Sequence, residues 1–488
     1  MFPATQSKRR WLAFAAATAA AAMDLLDSTI AQVAAPSIHR DLGGSESVIQ
    51  WVTAAYALAM AVGLLTGGRL GDLYGRKRVL LVGLGIFMIA SVACALSATT
   101  VELISARAIQ GAAGAVMVPQ VFGLISELFA PEEMGRAFGV YGPVMGLSAM
   151  LGPIFSGGLI GLDLLGTGWR AIFLVNVPIG LLALVGGARL LPSRRPPVEK
   201  GGLDLAGILL AGCGVFLLVF PLVEGHQLGW PAWLVAMALA AVPVLATFVI
   251  YEQRRSRGGR TPLVELSIFS RRAYSAGIVF ALVFCASMGG IVLLFNVLLQ
   301  VGLGYSAWHS ALTTAPWAAG AFVGSAIGAI QMARLGRRVL HAGVLVEMIG
   351  LGAIYAVLER AGSGVSTVDL LAPMVVGGIG MGMVFVPLFD IVLAGALPRE
   401  MGSASSVLQS ANGLGMSLGV AGLGAVFFAI AGSGSGMLAA GEWTALASIA
   451  LLAVAFVIAF KLPHKAREQG SPHAGSVEPA LEPFAAVT

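Results

Sequence analysis

The sequence predicts an all-α membrane protein with fourteen transmembrane helices, and three observations carry that prediction. Of its 488 residues, 58% are hydrophobic and only 11% charged, with a mean hydropathy of +0.89; a soluble domain carries about 25% charged residues. Apolar windows of about twenty residues, the length that crosses hydrocarbon, follow one another along nearly the whole chain. Cations crowd into alternate connections between those windows, the asymmetry expected when one set of loops faces the cytoplasm. Glycine, at 65 residues, is about twice its usual share, which suits helices whose backbones approach closely.

Taken in order, spans are expected at 11–38, 48–70, 79–98, 101–129, 135–161, 170–191, 203–223, 231–251, 273–299, 308–332, 338–358, 369–395, 401–432 and 442–462. The first follows Lys8-Arg9-Arg10 and resembles a signal peptide, but its apolar run is too long for one. It reads as an uncleaved helix. The short stretch Gly67 to Arg78, GGRLGDLYGRKR, separates the second and third spans with one acid and four cations. Such a cluster cannot enter hydrocarbon, so it fixes the cytoplasmic side. Lys8, Arg9 and Arg10, Arg136, the cations at 189–200 and 254–272, Arg334, Arg337, Arg338, Arg399, Lys461, Lys465 and Arg467 fall on that same side. The opposite loops hold Arg40, Arg170 and Arg360, and Arg107 lies inside a span. Both termini are therefore expected in the cytoplasm.

Two long basic connections, Pro192 to Leu203 and Glu252 to Arg272, bracket the seventh and eighth spans. The second contains TPLVELSIFSRRAY, an apolar and basic segment suited to lying on the inner membrane surface. An internal echo, Gly75-Arg76-Lys77-Arg78-Val79-Leu80 against Gly336-Arg337-Arg338-Val339-Leu340, fits two repeated six-helix units with two helices inserted between them. The expected units are residues 1–191, a linker with the inserted pair at 192–272, residues 273–462, and a disordered cytoplasmic tail at 463–488, rich in Pro, Ala, Ser and charge.

Ionisable residues inside spans are rare and costly, so each is a functional candidate. Asp24 and Asp27 lie three apart, on one face of the first helix, and two carboxylates that close resist double ionisation. Asp27 falls about 24 Å along the helix from Trp11. Arg107 falls about 9 Å into its span from the outer side, so the two depths are compatible with a pair. Coupling to protons and a static pair locking two helices are the competing readings. Glu347 sits about 12 Å into its span and reads equally as a binding or a structural group. Tyr56, Asn296, Trp317 and Asn412 are candidates for lining a substrate cavity, with interhelical hydrogen bonds as the plainer alternative for the asparagines. Trp51 reads as an interfacial anchor.

The sequence carries no phosphate-binding loop, nucleophile elbow or zinc helix. Cys94, Cys213 and Cys285 are isolated in apolar segments, without the spacing of metal ligands or a disulfide framework. No enzyme, metal or organic cofactor is expected, nor a nucleic-acid partner, since the cations lie in short loops.

At these residues the chain resembles the major facilitator superfamily, and more narrowly its fourteen-helix drug:proton antiporter family 2. Gly68, Asp72, Gly75 and Arg76 are similar to the superfamily's loop signature between spans two and three. LISARAIQGAAGA (Leu103 to Ala115) resembles the fourth-span motif with a proton-linked arginine, here Arg107. GPIFSG (Gly152 to Gly157) resembles the antiporter motif of span five, with Ser156 in place of the usual glycine. MDLLDSTIAQVAAPSI and WRAIFLVNVPIG are also family-like; Gln32 replaces an asparagine, and Asp24 is an extra acid.

The resemblance implies two six-helix bundles around a central cavity, rocking in alternating access, with the inserted helices as an accessory pair. It implies a multidrug efflux antiporter of the bacterial cytoplasmic membrane, driven by the proton gradient. Asp27, Asp24 and Arg107 would couple protons, and Gly68, Asp72, Gly75, Arg76, Gly152 and Pro153 would form the conformational gate. Tyr56, Asn296, Trp317, Glu347 and Asn412 are the candidates for contacting a small hydrophobic substrate, which the membrane acids permit to be cationic. A dedicated exporter of one endogenous antibiotic is the alternative within transport. A non-transporting receptor is the alternative outside it.

Overall fold

The computed structural model describes residues 4–129, 133–163, 166–193, 204–260, 262–393 and 401–463. Among the described residues every regular element is helical. The long helices are α1 (Ala4–Leu42), α2 (Ser47–Tyr74), α3 (Arg76–Leu96), α4 (Thr100–Leu128) and α5 (Met134–Leu162). A span made of the short α6 (Ala171–Leu174) and α7 (Asn176–Leu190) follows. After it come α8 (Leu205–Leu228), α9 (Ala232–Arg257), α10 (Arg272–Val297), α11 (Ala307–Leu335), α12 (Arg338–Ala361), α13 (Thr367–Leu393), α14 (Met401–Ile430) and α15 (Gly436–Ala459).

Among the described residues, twelve stretches are long and apolar enough to cross a membrane, against the fourteen expected from the sequence. The two figures part at two places. Ala404–Ala459 is one run of 56 residues that holds both α14 and α15, joined by a π-helical turn at Ala431–Ser435 and broken at Gly434, whose φ is 87°. The helix α11 is not one of the twelve.

The glycines explain how the helices pack. Gly320, Gly324 and Gly328 recur at every fourth position of α11, and a side chain at any of them would strike the backbone of α13 at Val375, Ile379 or Met383. Gly378 and Gly382 do the same from α13 against Trp317 and Ala321. Small residues at this spacing let two backbones touch. The helices α2 and α4 meet in the same way through Gly63, Gly67 and Gly111.

The helices α1–α7 pack on one another, as do α10–α15, and the two broadest seams between the sets are α2 on α14 and α5 on α11. The helix α1 also touches α10 and α11 and accepts from Gln300 Nε2 at the Val33 carbonyl. Along the first seam Gln50 faces Gly424, Ser417 donates to the Ala54 carbonyl, Gly413 faces Ala57 and Ala61, and Gly68 faces Ser406. The helices α8 and α9 pack on each other, and α8 leans on α2 and α14 at this seam.

The sequence echo has a structural counterpart. Gly75 and Gly336 both adopt positive φ, 90° and 53°, a conformation that costs glycine little. The next helix then presents a cation to the end of another. Lys77 Nζ donates to the carbonyls of Ala188 and Leu191, both at 2.8 Å. Arg337 Nη1 donates to those of Phe460 and Leu462 at 2.7 and 2.8 Å. Each cation satisfies orphan carbonyls at a helix C-terminus and meets the negative end of its dipole.

Two sequence expectations need correction. Trp51 is not an interfacial anchor: it is buried, and its Nε1 donates to Glu224 Oε1 of α8 at 2.6 Å. The segment expected on the membrane surface is instead tucked into the protein. Leu263, Val264 and Ile268 are buried, and the Val264 amide donates to Glu252 at 3.1 Å. Both apolar faces find protein rather than lipid, a choice that local composition does not encode. The chain from 464 onward, expected to be disordered, lies outside the described residues.

Candidate functional site: a buried acid–arginine network

One polar cluster stands inside the first helical set, built from five helical segments. Asp24 and Asp27 project from the same face of α1, as their spacing of three requires. Asp27 Oδ2 pairs with Arg107 Nη1 at 2.5 Å, with both side chains about 1% exposed. Asp27 Oδ1 accepts from Gln110 Nε2 at 2.9 Å and from Asn176 Nδ2 at 2.6 Å. Gln110 Oε1 in turn accepts from Arg107 Nη1 at 2.6 Å. Ser91 Oγ of α3 accepts from both Gln110 and Asn176, and Arg107 Nε donates to the Val52 carbonyl of α2 at 3.0 Å. A buried ion pair survives only when further hydrogen bonds satisfy its remaining atoms, and this network supplies them.

The second acid is held differently. Asp24 Oδ1 accepts from the Tyr56 hydroxyl at 2.6 Å. The Tyr56 ring lies under the Arg107 guanidinium, 4.3 Å from its centroid, with Phe173 at 5.7 Å. Arg107 Nη2 is buried without a hydrogen-bond partner. Tyr56 therefore touches both acids' systems, Asp24 through its hydroxyl and Arg107 through its face.

Local sequence explains why the cluster fits. Arg107 and Gln110 lie three apart on α4, and Gly111 and Gly114 continue the same stripe. A side chain at Gly111 would strike the Tyr56 backbone, and one at Gly114 the Asp24 carboxylate. In the WRAIFLVN stretch, Trp169 and Arg170 hold Asp41 at the end of α1, at 2.8 and 2.6 Å. One turn on, Phe173 and Asn176 reach Arg107 and Asp27. The sequence reading missed Gln110, Asn176 and Ser91 as members of the site. The available signal was Gln110's spacing of three from Arg107 and Asn176's place in WRAIFLVNVPIG; Ser91 carried none.

The other candidates are distributed elsewhere. Gly68 faces Ser406 across the α2–α14 seam. Arg76 reaches Ser126 Oγ at 3.5 Å and Glu127 Oε1 at 3.7 Å on α4. The side chain of Asp72 lies outside the described residues, so its pairing with Arg76 or with the start of α14 is not described. Gly152, followed by Pro153, packs on Thr29 of α1, within the first set. The residue of that motif that meets the other set is Gly157, against Ala307, Trp308 and Ala311 of α11.

Asn296, Trp317, Glu347 and Asn412 belong to the second set and make no hydrogen bond to the network. Asn296 donates to the Val292 carbonyl at 2.9 Å and accepts from Ser310 at 2.9 Å. Trp317 Nε1 reaches Met381 sulfur at 3.3 Å. Asn412 Oδ1 is buried without a partner. Glu347 is fully enclosed, with no hydrogen-bond partner for either oxygen. Leaving a buried polar group unsatisfied costs about 1–3 kcal/mol. Glu347→Met is therefore expected to raise unfolding stability by about that amount, measured by thermal unfolding in lipid. An unchanged or lowered stability would show that the carboxyl is better satisfied than its surroundings suggest.

The sequence pattern of the Major Facilitator Superfamily matches residues 17–420. Over 426 residues the chain is 46% identical to a probable actinorhodin transporter of Streptomyces coelicolor, covering 87% of this chain and 74% of that one. It is 33% identical to the tetracenomycin C resistance and export protein of Streptomyces glaucescens, covering 85% of this chain and 76% of that one. Among solved structures, a D-xylose–proton symporter superposes with a TM-score of 0.64 at 16% identity, covering 93% of this chain and 98% of the other. That last likeness is one of fold.

Proposed function

The chain belongs to the Major Facilitator Superfamily, and on that premise we propose that it is a proton-coupled antiporter exporting hydrophobic, drug-like or antibiotic molecules by alternating access. It is a multi-pass membrane protein whose relatives are antibiotic and multidrug exporters rather than enzymes. The observation that supports coupling is the enclosed network of Asp24, Tyr56, Asp27 and Arg107. Ionisable groups at membrane depth mark ion pathways, and here one acid pairs with the arginine while a second reaches it through Tyr56.

In this reading the chain crosses the bacterial cytoplasmic membrane fourteen times, with α8 and α9 as the accessory pair and both termini in the cytoplasm. Residues 1–191 and 273–462 form the two rocking units. The loop Gly68, Asp72, Gly75 and Arg76 and the bend at Gly152-Pro153 serve as the gate, and Tyr56, Asn296, Trp317, Glu347 and Asn412 contact substrate as the units part. Inward release of a proton would supply the energy for export.

The test uses the full chain in proteoliposomes with an imposed pH gradient and a panel that includes actinorhodin, tetracenomycin C and puromycin, compounds named for its relatives. Efflux of several members that collapses when the gradient is discharged is the expected result. Efflux indifferent to the gradient would sink proton coupling. Efflux of a single member would favour the second reading, a dedicated self-resistance exporter, which the single-antibiotic names of two relatives support.

A further inference from the structure

We infer that the two acids of α1 divide the work: Asp24 carries the exchangeable proton, and Asp27 is a fixed counter-ion that positions Arg107. The inference rests on the proton-coupling reading above and deepens it.

The division follows from how each carboxyl is held. Asp27 engages both oxygens with three N–H donors, one of them from a guanidinium, and is 1% exposed. Protonating it would break a charge-assisted pair inside the protein and strand Arg107, a step that costs several kcal/mol. Asp24 meets one donor, the Tyr56 hydroxyl, on one oxygen, has no further hydrogen bond among the described residues, and is 5% exposed. Adding or removing a proton there breaks no ion pair.

The groups facing Asp24 are Asp27 on its own helix, Tyr56 from α2, Arg107 from α4 and Tyr141 from α5, close enough to feel its charge. Of these only Arg107 is cationic, and its nearer commitments are to Asp27, Gln110 and Val52. Its Nη2, buried without a hydrogen-bond partner, keeps unspent N–H donors beside the charge that appears when Asp24 releases its proton. Tyr56 is then a positioning residue, because its hydroxyl follows Asp24 while its ring bears on Arg107. The step balances simply: the acid form of Asp24 becomes a carboxylate, and one proton leaves.

The experiment is pH-difference infrared spectroscopy of the full chain in lipid, in a Glu347→Gln background that removes one other enclosed acid while the buried Glu252 and Asp204 stay constant across the variants. The carbonyl stretch of a protonated carboxyl should titrate, vanish in Asp24→Asn, persist in Asp27→Asn and shift in frequency in Tyr56→Phe. A band that vanishes in Asp27→Asn and persists in Asp24→Asn would reverse the assignment. If Asp24→Asn does not fold, the Tyr56→Phe shift decides: a band unmoved by loss of that hydroxyl does not belong to Asp24. Absence of any titrating carboxyl in the parent would instead defeat the proton-coupling reading itself.

Discussion

Arg107→Ala is expected to lower unfolding stability by about 3–5 kcal/mol and to abolish active transport. The size follows from leaving Asp27 as an uncompensated buried charge. The guanidinium also serves Val52 through Nε and Gln110 through Nη1 and covers the Tyr56 ring. Arg107→Lys should not rescue it, since an ammonium lacks the planar fork that reaches three directions at once. Because Arg107 and Asp27 share one network, their effects should be strongly non-additive. In a double-mutant cycle, Asp27→Asn combined with Arg107→Ala should cost far less than the two separately. Unfolding in lipid or mild detergent measures this, and a single-mutant loss below about 1 kcal/mol, the range of an exposed pair, would contradict the buried geometry.

Gly157→Val is the second change with a large expected effect, and it acts on the seam rather than on the network. A Cβ at this position of α5 would stand 2.6 Å from the Ala311 Cβ and 2.8 Å from the Ala307 carbonyl. Overpacking of that kind costs about 1–3 kcal/mol, and each 1.4 kcal/mol is a tenfold change in a two-state population. The variant should therefore shift the protein away from the state in which α5 and α11 are closed. Transport should fall by roughly five- to a hundredfold, while each helical set still folds. Gly158→Ala is the control, because its Cβ would meet the Trp308 ring at an ordinary 3.4 Å. Spin-label distances between α5 and α11 report the opening. Equal transport in the two variants would show that this seam does not limit the cycle.

Much of the architecture was legible because membranes impose one-dimensional rules. Hydropathy set the helices, and the charge asymmetry set their expected orientation. The basic turn after Gly75 and its echo after Gly336 pointed to a repeat, which the structure gives a physical role through Lys77 and Arg337. The site was legible in part. Asp24 and Asp27 stood out by spacing and cost, and Arg107 by its depth. Gln110, Asn176 and Ser91 did not stand out, because an amide or hydroxyl in a span is as readily a plain interhelical hydrogen bond.

The limits lie where partners are chosen in space. Trp51 and the 262–271 segment carry the composition of membrane-surface groups, yet their partners are Glu224 and Glu252, far off in sequence. Within one motif, Gly152 packs on Thr29 of α1 while Gly157 meets α11 across the seam, and the motif itself does not tell the two contacts apart. Helix existence, apolar character and the presence of costly intramembrane acids are thus properties of the sequence itself, since each depends on transfer from water to hydrocarbon residue by residue. Which carboxyl is locked and which is left open is a property of the tertiary structure alone. It depends on how many donors from α2, α4 and α7 converge on each oxygen, and no spacing along α1 records that number.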